Sequence, residues 1–179
     1  MRNRLNGSRG YLCGAMCRVS DSGVQWRQTI REMTTELGIK WLDPTDKPIE
    51  GFDEVHLKAR LREAKDREDW MCVKELIKPI RCVDLRMVDV SDFLVAKIDM
   101  EVQQCGTYEE IFLANREKKP VVVWCPQGKR EIPNWLFGTL PHDLFFRDLD
   151  EVVAYLWHVA VDDNVDSLRR WYFFDYERV

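Results

Sequence analysis

The sequence predicts an α/β domain in which a parallel five-stranded sheet is flanked by helices. Two short apolar runs, residues 93–98 and residues 120–124, have the composition of strands that are buried on both faces. Between these runs, after a Gly-Thr turn, Thr107, Ile111 and Ala114 fall at helical spacing. A strand, a helix and a second strand in this order predict the right-handed crossover of a parallel sheet.

Residues 11–15 are predicted to form the first strand and residues 39–42 the second. The helix between them is expected to begin at a cap on Asp21 or Ser22 and to end at Gly38. Its core positions, spaced at helical intervals, are Trp26, Ile30, Met33 and Leu37.

Two more helices are predicted before the third strand. Residues 53–70 carry alternating charges and should present a solvated face, whereas residues 72–90 are more apolar and should be interrupted near Pro79. Residues 144–146 predict a short final strand, and residues 149–157 a closing amphipathic helix.

Length and composition restrict the classes of protein. A chain of 179 residues, with 45% hydrophobic and 32% charged residues, is long enough for one domain with a single core. Twenty-seven Lys and Arg residues against 31 Asp and Glu residues give a formal net charge of −4, which argues against general nucleic-acid binding. The sequence contains no Walker or G-x-G-x-x-G loop, which argues against a nucleotide triphosphatase or a dehydrogenase.

The cysteines and histidines follow no metal-binding pattern. The six cysteines include no CxxC pair, and His56, His142 and His158 have no ligand or triad companion at a recognisable spacing. We therefore expect reduced thiols, structural histidines and no metal. The basic N-terminus precedes no apolar stretch long enough for a signal peptide or a membrane span, so we expect a soluble cytoplasmic protein without membrane contact.

Three segments are predicted. Residues 1–9 are expected to be a disordered lead-in, residues 10–160 the domain, and residues 161–179 a tail that packs on the domain or on an oligomer interface. The aromatic residues of the tail are Trp171, Tyr172, Phe173, Phe174 and Tyr176. Aromatic side chains at this density need a covering surface.

The predicted sheet brings several loops to one edge. Gly14 ends the first strand, Asp43 follows the second, and residues 99–110 follow the third. Ligands of open parallel sheets bind beyond the carboxyl ends of the strands. The candidate binding site is therefore expected at this edge.

Four motifs, in this order and spacing, resemble the nucleoside 2-deoxyribosyltransferase family, whose superfamily includes the deoxynucleoside-monophosphate N-glycosidases. They are Y-L-C-G-A-M from Tyr11, D-P at Asp43, D-L-x-x-x-x-x-x-D from Asp84, and G-T-x-x-E from Gly106 followed by K-P-V-V-V. The resemblance covers about residues 9–147. It implies a flavodoxin-like (Rossmann-like) fold, cleavage of an N-glycosidic bond in a small nucleoside or nucleotide, no cofactor, and a homo-oligomer.

The resemblance implies two catalytic carboxylates. Glu110, the last residue of G-T-x-x-E, would be the nucleophile that forms a glycosyl ester, and it is expected to face a solvent-reachable pocket. Glu109 is its nearest competitor, but consecutive helical residues point about 100° apart, so only one can face the pocket. Asp84 would assist at the leaving base and hold the sugar. The pKa values of the two groups should differ, with the nucleophile ionised and the acid near the base protonated.

The resemblance also implies a set of substrate-binding residues. Gly106 and Thr107 offer backbone N–H groups at a helix start, and Arg18 is a candidate for a phosphate contact. The loop with Asn134 and Trp135 is expected to reach into the pocket of a neighbouring subunit. The remaining candidates, which would contact the base or the sugar or lie at the strand ends, are Tyr11, Gly14, Ala15, Met16, Asp43, Asp92 and Tyr108.

Three functions stay open from the sequence. Some transferases have an aspartate six residues before the nucleophile and the monophosphate hydrolases have a small hydroxyl residue there, whereas this chain has Gln104. A pocket with planar aromatic groups suits an acceptor base, so transfer of the deoxyribosyl group is favoured over hydrolysis of a monophosphate. The third alternative is a catalytically silent protein that binds a nucleotide.

Overall fold

Five parallel strands form one sheet in the computed structural model, which describes residues 3–47, 54–162 and 170–173. The strands are β1 (Arg9–Gly14), β2 (Lys40–Leu42), β3 (Phe93–Lys97), β4 (Val121–Trp124) and β5 (Phe145–Phe146). Their spatial order is β2-β1-β3-β4-β5. The predicted flavodoxin-like α/β fold is confirmed.

Six α-helices cover the two faces of this sheet within the described ranges. They are α1 (Val24–Met33), α2 (Glu54–Asp66), α3 (Trp70–Val90), α4 (Cys105–Arg116), α5 (Asn134–Phe137) and α6 (Leu149–Val161), with short 3-10 turns at Thr35–Leu37, Lys129–Glu131 and His142–Leu144. None of the helices in the described ranges combines the length and apolar character needed to cross a membrane.

The central crossover has the predicted geometry. Strands β3 and β4 are adjacent and parallel, with Leu94 opposite Val121 and Lys97 opposite Trp124, and α4 connects them. Both strands are buried except at their last residues, because helices cover both faces of the sheet.

The alternation of side chains along β1 divides the core into two layers. Tyr11 and Cys13 point towards the layer that contains Ile111 of α4 and Met87 of α3. Leu12 points towards the opposite layer, with Trp26 and Ile30 of α1 and Leu156 of α6. Polar groups on Tyr11 and Cys13 are thereby directed at the α3 and α4 side.

Several helix boundaries differ from the sequence prediction. Helix α3 continues through Pro79, which is exposed, so the carbonyl group that loses its partner can bond to water instead. Helix α6 extends to Val161 because its apolar spacing continues through Val159 and Ala160. Helix α1 begins after Gly23, at φ 72°, and the Asp21 carboxylate accepts hydrogen bonds from the N–H groups of Gly23 and Gln25 without being the N-cap.

Both ends of the domain pack on the second layer. Leu5 is 1% exposed and the Arg4 N–H donates to the Ala160 carbonyl oxygen, so residues 3–8 are an ordered part of the domain, not the predicted disordered lead-in. A single apolar residue at position 5 is a weak sequence signal, which explains the difference. In the tail, Trp171 lies 4.9 Å from Phe93 between ring centroids. Phe174 and Tyr176 lie outside the described residues.

Candidate active site

Glu110 projects from α4 towards β1 and is almost fully buried. Its side chain lies on the buried face of the helix with Ile111 and Ala114, and 9% of the residue is exposed. The Tyr11 hydroxyl donates a hydrogen bond to Oε1 over 2.9 Å, and the Cys13 thiol donates one to Oε2 over 2.9 Å. Glu110 is therefore less accessible than expected for a residue that faces a solvent-reachable pocket, because Tyr11 and Cys13 of β1 hold both of its oxygens.

Arg81 on α3 fixes the neighbouring Glu109 in a different direction. The Arg81 guanidinium donates to both carboxylate oxygens of Glu109, from Nε over 3.0 Å, and 42% of the Glu109 side chain is exposed. Successive residues of a helix are rotated by about 100°. Glu110 therefore faces the strand, while Glu109 lies at the surface.

Cys13 is a site residue that the sequence reasoning missed. It is fully buried in the middle of the predicted first strand, where a structural thiol is the usual interpretation. However, Cys13 and Tyr11 are two residues apart, and side chains at this spacing share one face of a strand. Once Tyr11 is assigned to the site, this alternation predicts that Cys13 reaches the same partner.

The environment of Glu110 changes the acidity of three groups. Burial raises the pKa of Glu110 from 4.5 to about 7, and the negative charge of Asp84 adds to this rise. Hydrogen bonds from Cys13 and Tyr11 and the positive charge of Arg27 lower it. Burial, followed by the charge of Glu110, raises the pKa of the Tyr11 phenol and of the Cys13 thiol well above their ordinary values. At neutral pH the phenol and the thiol are therefore protonated donors.

Asp84 projects from α3 and forms an ion pair with Lys47. The Lys47 Nζ and Asp84 Oδ1 atoms are 2.9 Å apart, and the two side chains are 1% and 17% exposed. An adjacent cation favours the ionised form of a carboxyl group. The two carboxyl groups occupy different environments, and burial raises the pKa of Glu110, the group that was expected to stay ionised. The reason is that Lys47 pairs with Asp84, while Glu110 is surrounded by the core.

Asp43 lies at the carboxyl end of β2, as predicted, but its carboxylate pairs with cations. It is 3.7 Å from Nε of Arg27 and 3.6 Å from Nη1 of Arg31, and it accepts a hydrogen bond from the Thr45 hydroxyl. Asp43 therefore supports the turn after β2 and the neighbouring arginines.

Arg27 ties this edge of the sheet together. It is 0% exposed, and its guanidinium donates to the carbonyl oxygens of Leu12, Gly14 and Gly23. These contacts join the end of β1 to the start of α1. The sequence reasoning missed Arg27, although its position next to the core residue Trp26 was a signal.

The loop after β1 continues along the same edge. Ala15 and Met16 are partly buried, and Arg18 is exposed. The Lys58 ammonium on α2 donates to the Met16 carbonyl oxygen over 3.3 Å. Gly14 is the last residue of β1, and Ala15, Met16 and Arg18 follow it, where the sequence predicts them.

The start of α4 lies one residue earlier than predicted, at Cys105. A Cβ atom added to Gly106 would meet no atom within 4 Å, so the space beside this residue is open. Thr107 is 5% exposed, and the Tyr108 ring stacks on Phe112 with centroids 6.4 Å apart.

Gln104 precedes α4 and is 5% exposed. Its side-chain amide donates to the Asp99 carbonyl oxygen over 3.2 Å, and the Asp99 carboxylate accepts from the Gln127 amide over 2.8 Å. These hydrogen bonds thus connect Gln104 and Gln127 to Asp99 in the loop after β3. Within the described residues, no group of three or more His, Cys, Asp or Glu side chains could hold a metal ion.

Asp92 lies at the opposite edge of the sheet and cannot belong to this site. Its carboxylate accepts from the Arg9 N–H over 2.7 Å, at the amino ends of β1 and β3. The inclusion of Asp92 among the substrate-binding residues is therefore corrected. A residue that opens a parallel strand lies at the amino edge, whereas ligands collect at the carboxyl edge.

Asn134 and Trp135 form the first turn of the short helix α5. Both are exposed, and Trp135 is 78% exposed. The next residue, Leu136, is buried in the same core layer as Tyr11 and Cys13. The helix is therefore anchored on the Glu110 side of the sheet, with Trp135 directed outwards.

The fold is shared with solved enzyme structures, although no protein-family model and no curated protein matches the sequence. The 2-deoxyribosyltransferase of the psychrotolerant bacterium Bacillus psychrosaccharolyticus is similar with a TM-score of 0.55 and 18% identity, over 83% of this chain and 96% of that one. The 2-desoxiribosyltransferase from Leishmania mexicana is similar with a TM-score of 0.53 and 18% identity, over 84% of this chain and 98% of that one. The chain therefore has the fold of the 2-deoxyribosyltransferases.

Proposed function

We propose that this protein is an enzyme that cleaves the N-glycosidic bond of a 2′-deoxynucleoside, or of its 5′-monophosphate, and transfers the deoxyribosyl group to another base. The observation that carries the proposal is Glu110, a buried carboxyl group with a hydrogen-bond donor on each oxygen and with Asp84 close enough to raise its pKa. The fold adds support, because two 2-deoxyribosyltransferases have it.

In the first half of the reaction, an oxygen of ionised Glu110 attacks C1′ of the sugar. The C1′–N bond breaks, its electron pair leaves with the base, and the base takes up a proton. The sugar is then bound to Glu110 as an ester. The transition state has oxocarbenium character, so the negative charges of Glu110 and Asp84 would stabilise the positive charge that develops at C1′.

In the second half, a nitrogen of the acceptor base attacks C1′ and loses a proton. The C1′–O bond breaks and Glu110 leaves with the electron pair. The Tyr11 hydroxyl and the Cys13 thiol donate to the two carboxylate oxygens, so they stabilise the charge that returns to Glu110. Two displacements at C1′ retain its configuration.

Transfer in place of hydrolysis requires that the bound acceptor base covers the glycosyl ester, because water that cannot reach the ester cannot hydrolyse it. The aromatic ring of Tyr108 is a candidate to stack on a base, and the neutral Gln104 adds no charge that would activate water.

We also propose that the protein is a homo-oligomer in which Asn134 and Trp135 lie near the pocket of another subunit.

The 5′-monophosphate form of the substrate would use the start of α4. The helix N-terminus offers backbone N–H groups at Gly106 and Thr107, and the open space beside Gly106 leaves room for an anion. Arg18 is the candidate for the opposing charge. A strong preference for the monophosphate over the nucleoside would support this assignment.

Base release from a panel of deoxynucleosides and their monophosphates, followed by chromatography with and without a second free base, tests the proposal. We expect release by the wild-type protein, an exchanged nucleoside when the second base is present, and neither product from Glu110→Ala. Glu109→Ala is the matched control and should retain activity, because Glu109 lies at the surface and pairs with Arg81.

The other outcomes identify the alternatives. Free deoxyribose, or its 5-phosphate, formed at one rate with and without the second base would indicate a hydrolase. Binding without release of any base would indicate a silent nucleotide-binding protein.

A further inference from the structure

Lys47 is a buried ammonium group at the candidate active site. Its side chain is 1% exposed, and its Nζ atom lies 2.9 Å from Oδ1 of Asp84. Taking an ammonium group out of water is unfavourable unless a carboxylate and hydrogen bonds compensate it. The burial of Lys47 beside Asp84 therefore favours the ionised form of Asp84.

A short turn after β2 fixes the position of Lys47. Nζ also donates to the Pro44 carbonyl oxygen over 2.5 Å. The Asp43 carboxylate accepts from the Thr45 N–H over 2.8 Å, and the Asp46 N–H donates to the Asp43 carbonyl oxygen over 3.0 Å. The turn thus holds the ammonium group in place from the side of β2, while Asp84 comes from α3.

Resting on the function proposed above, we propose that Lys47 is a positioning residue that keeps Asp84 ionised and oriented beside Glu110. In this arrangement Asp84 accepts hydrogen bonds and does not supply a proton. It would bind a substrate group that carries a donor, such as a sugar hydroxyl or an amino group of the base, and it would place a fixed negative charge near C1′. The proton taken up by the leaving base then comes from solvent and not from Asp84.

Charged and titratable groups of β1, α1 and α3 act on Glu110. Tyr11 and Cys13 of β1 are neutral donors at neutral pH, and Arg27 of α1 carries a positive charge. Asp84 acts on Glu110 as a like charge. Without the positive charge of Lys47, the repulsion between the two carboxylates would favour the protonation of one of them.

The pH dependence of kcat/KM tests this role. We expect Lys47→Met to move the acidic limb of the profile upwards by at least about one pH unit, and Lys47→Arg, which keeps the charge, to leave the limb near its wild-type position. Lys119→Met is the matched control: Lys119 is also a paired lysine, 13% exposed and 2.7 Å from Glu117, but it lies near the amino ends of the strands. A merely structural role of Lys47 would lower the rate without moving the limb, and that result would overturn the proposal.

A thermal-unfolding cycle tests the ion pair without any assay of activity. The variants are Lys47→Met, Asp84→Asn and the double variant, measured at pH 7. We expect each single substitution to lower the unfolding temperature and the double variant to unfold no lower than the less stable single variant, since it leaves no unpaired charge. Strictly additive losses would overturn the proposal. If no base is released from any substrate, the proposed function is contradicted. The unfolding cycle still tests the ion pair between Lys47 and Asp84 in that case.

Discussion

Replacing Glu110 with glutamine should change how stability depends on pH. Burial raises the pKa of this carboxyl group from 4.5 to about 7, so the folded protein holds a proton that the unfolded chain releases. Because a tenfold change in proton affinity corresponds to about 1.4 kcal/mol, the ionised group destabilises the folded protein by about 3 kcal/mol above pH 7. Glutamine cannot ionise, and its carbonyl oxygen still accepts from Tyr11.

The sign of the effect follows from where the proton is held. Between pH 4.5 and about 7 the folded wild-type protein binds more protons than the unfolded chain, so its free energy of unfolding falls as the pH rises. In Glu110→Gln this decrease is absent. The variant should therefore gain about 3 kcal/mol relative to the wild type between pH 4.5 and pH 8.

Urea unfolding at pH 5 and pH 8 measures this difference directly. Glu109→Gln is the matched control. A hydrogen bond from Arg81 lowers the pKa of Glu109. The contribution of ionised Glu109 to the free energy of unfolding is therefore lost only at more acidic pH and is constant between pH 5 and pH 8. If Glu110→Gln and the wild type lose the same free energy of unfolding between the two pH values, Glu110 is not buried as described.

Three further predictions concern activity and assembly. Glu110→Ala should leave less than about a tenth of the wild-type rate of base release, a loss of more than ~1.4 kcal/mol. Asp84→Asn should also lower this rate severely, but by less than Glu110→Ala. A higher residual rate in Glu110→Ala would remove it as the nucleophile. Tyr11→Phe removes one donor from Glu110 and should lower kcat by about a hundredfold; a change in KM alone would contradict a role in stabilising the departing carboxylate. Light scattering should detect a stable oligomer at micromolar concentration, and a monomer would exclude the proposed role of Asn134 and Trp135 in a neighbouring subunit.

The fold could be predicted because local signals agree with one another. The apolar runs of β3 and β4 and the helical spacing of Thr107, Ile111 and Ala114 all favour one crossover. Pro79 shows where a local rule is insufficient, whereas the extension of α6 follows from apolar spacing that continues through Val159 and Ala160. Proline interrupts a helix only when the lost hydrogen bond cannot be replaced, and Pro79 is exposed to solvent.

The candidate site could be predicted only in part, because its electrostatics come from residues distant in sequence. The position of Glu110 on α4 follows from a motif, but its two donors come from β1. The pairing of Lys47 with Asp84 joins a turn to a helix and leaves no local pattern. Asp92, in contrast, could have been excluded from the sequence alone, since it precedes a parallel strand.

Mass spectrometry of the protein after brief exposure to a deoxynucleoside and rapid acid quenching tests the covalent role of Glu110 most directly. We expect a mass increase of one deoxyribosyl group on the peptide that contains Glu110, in the wild type and in Glu109→Gln but not in Glu110→Gln. If the samples turn over substrate but carry the deoxyribosyl group on another residue, Glu110 is not the nucleophile. Inverted configuration at C1′ of the exchanged nucleoside would also contradict a covalent intermediate on Glu110.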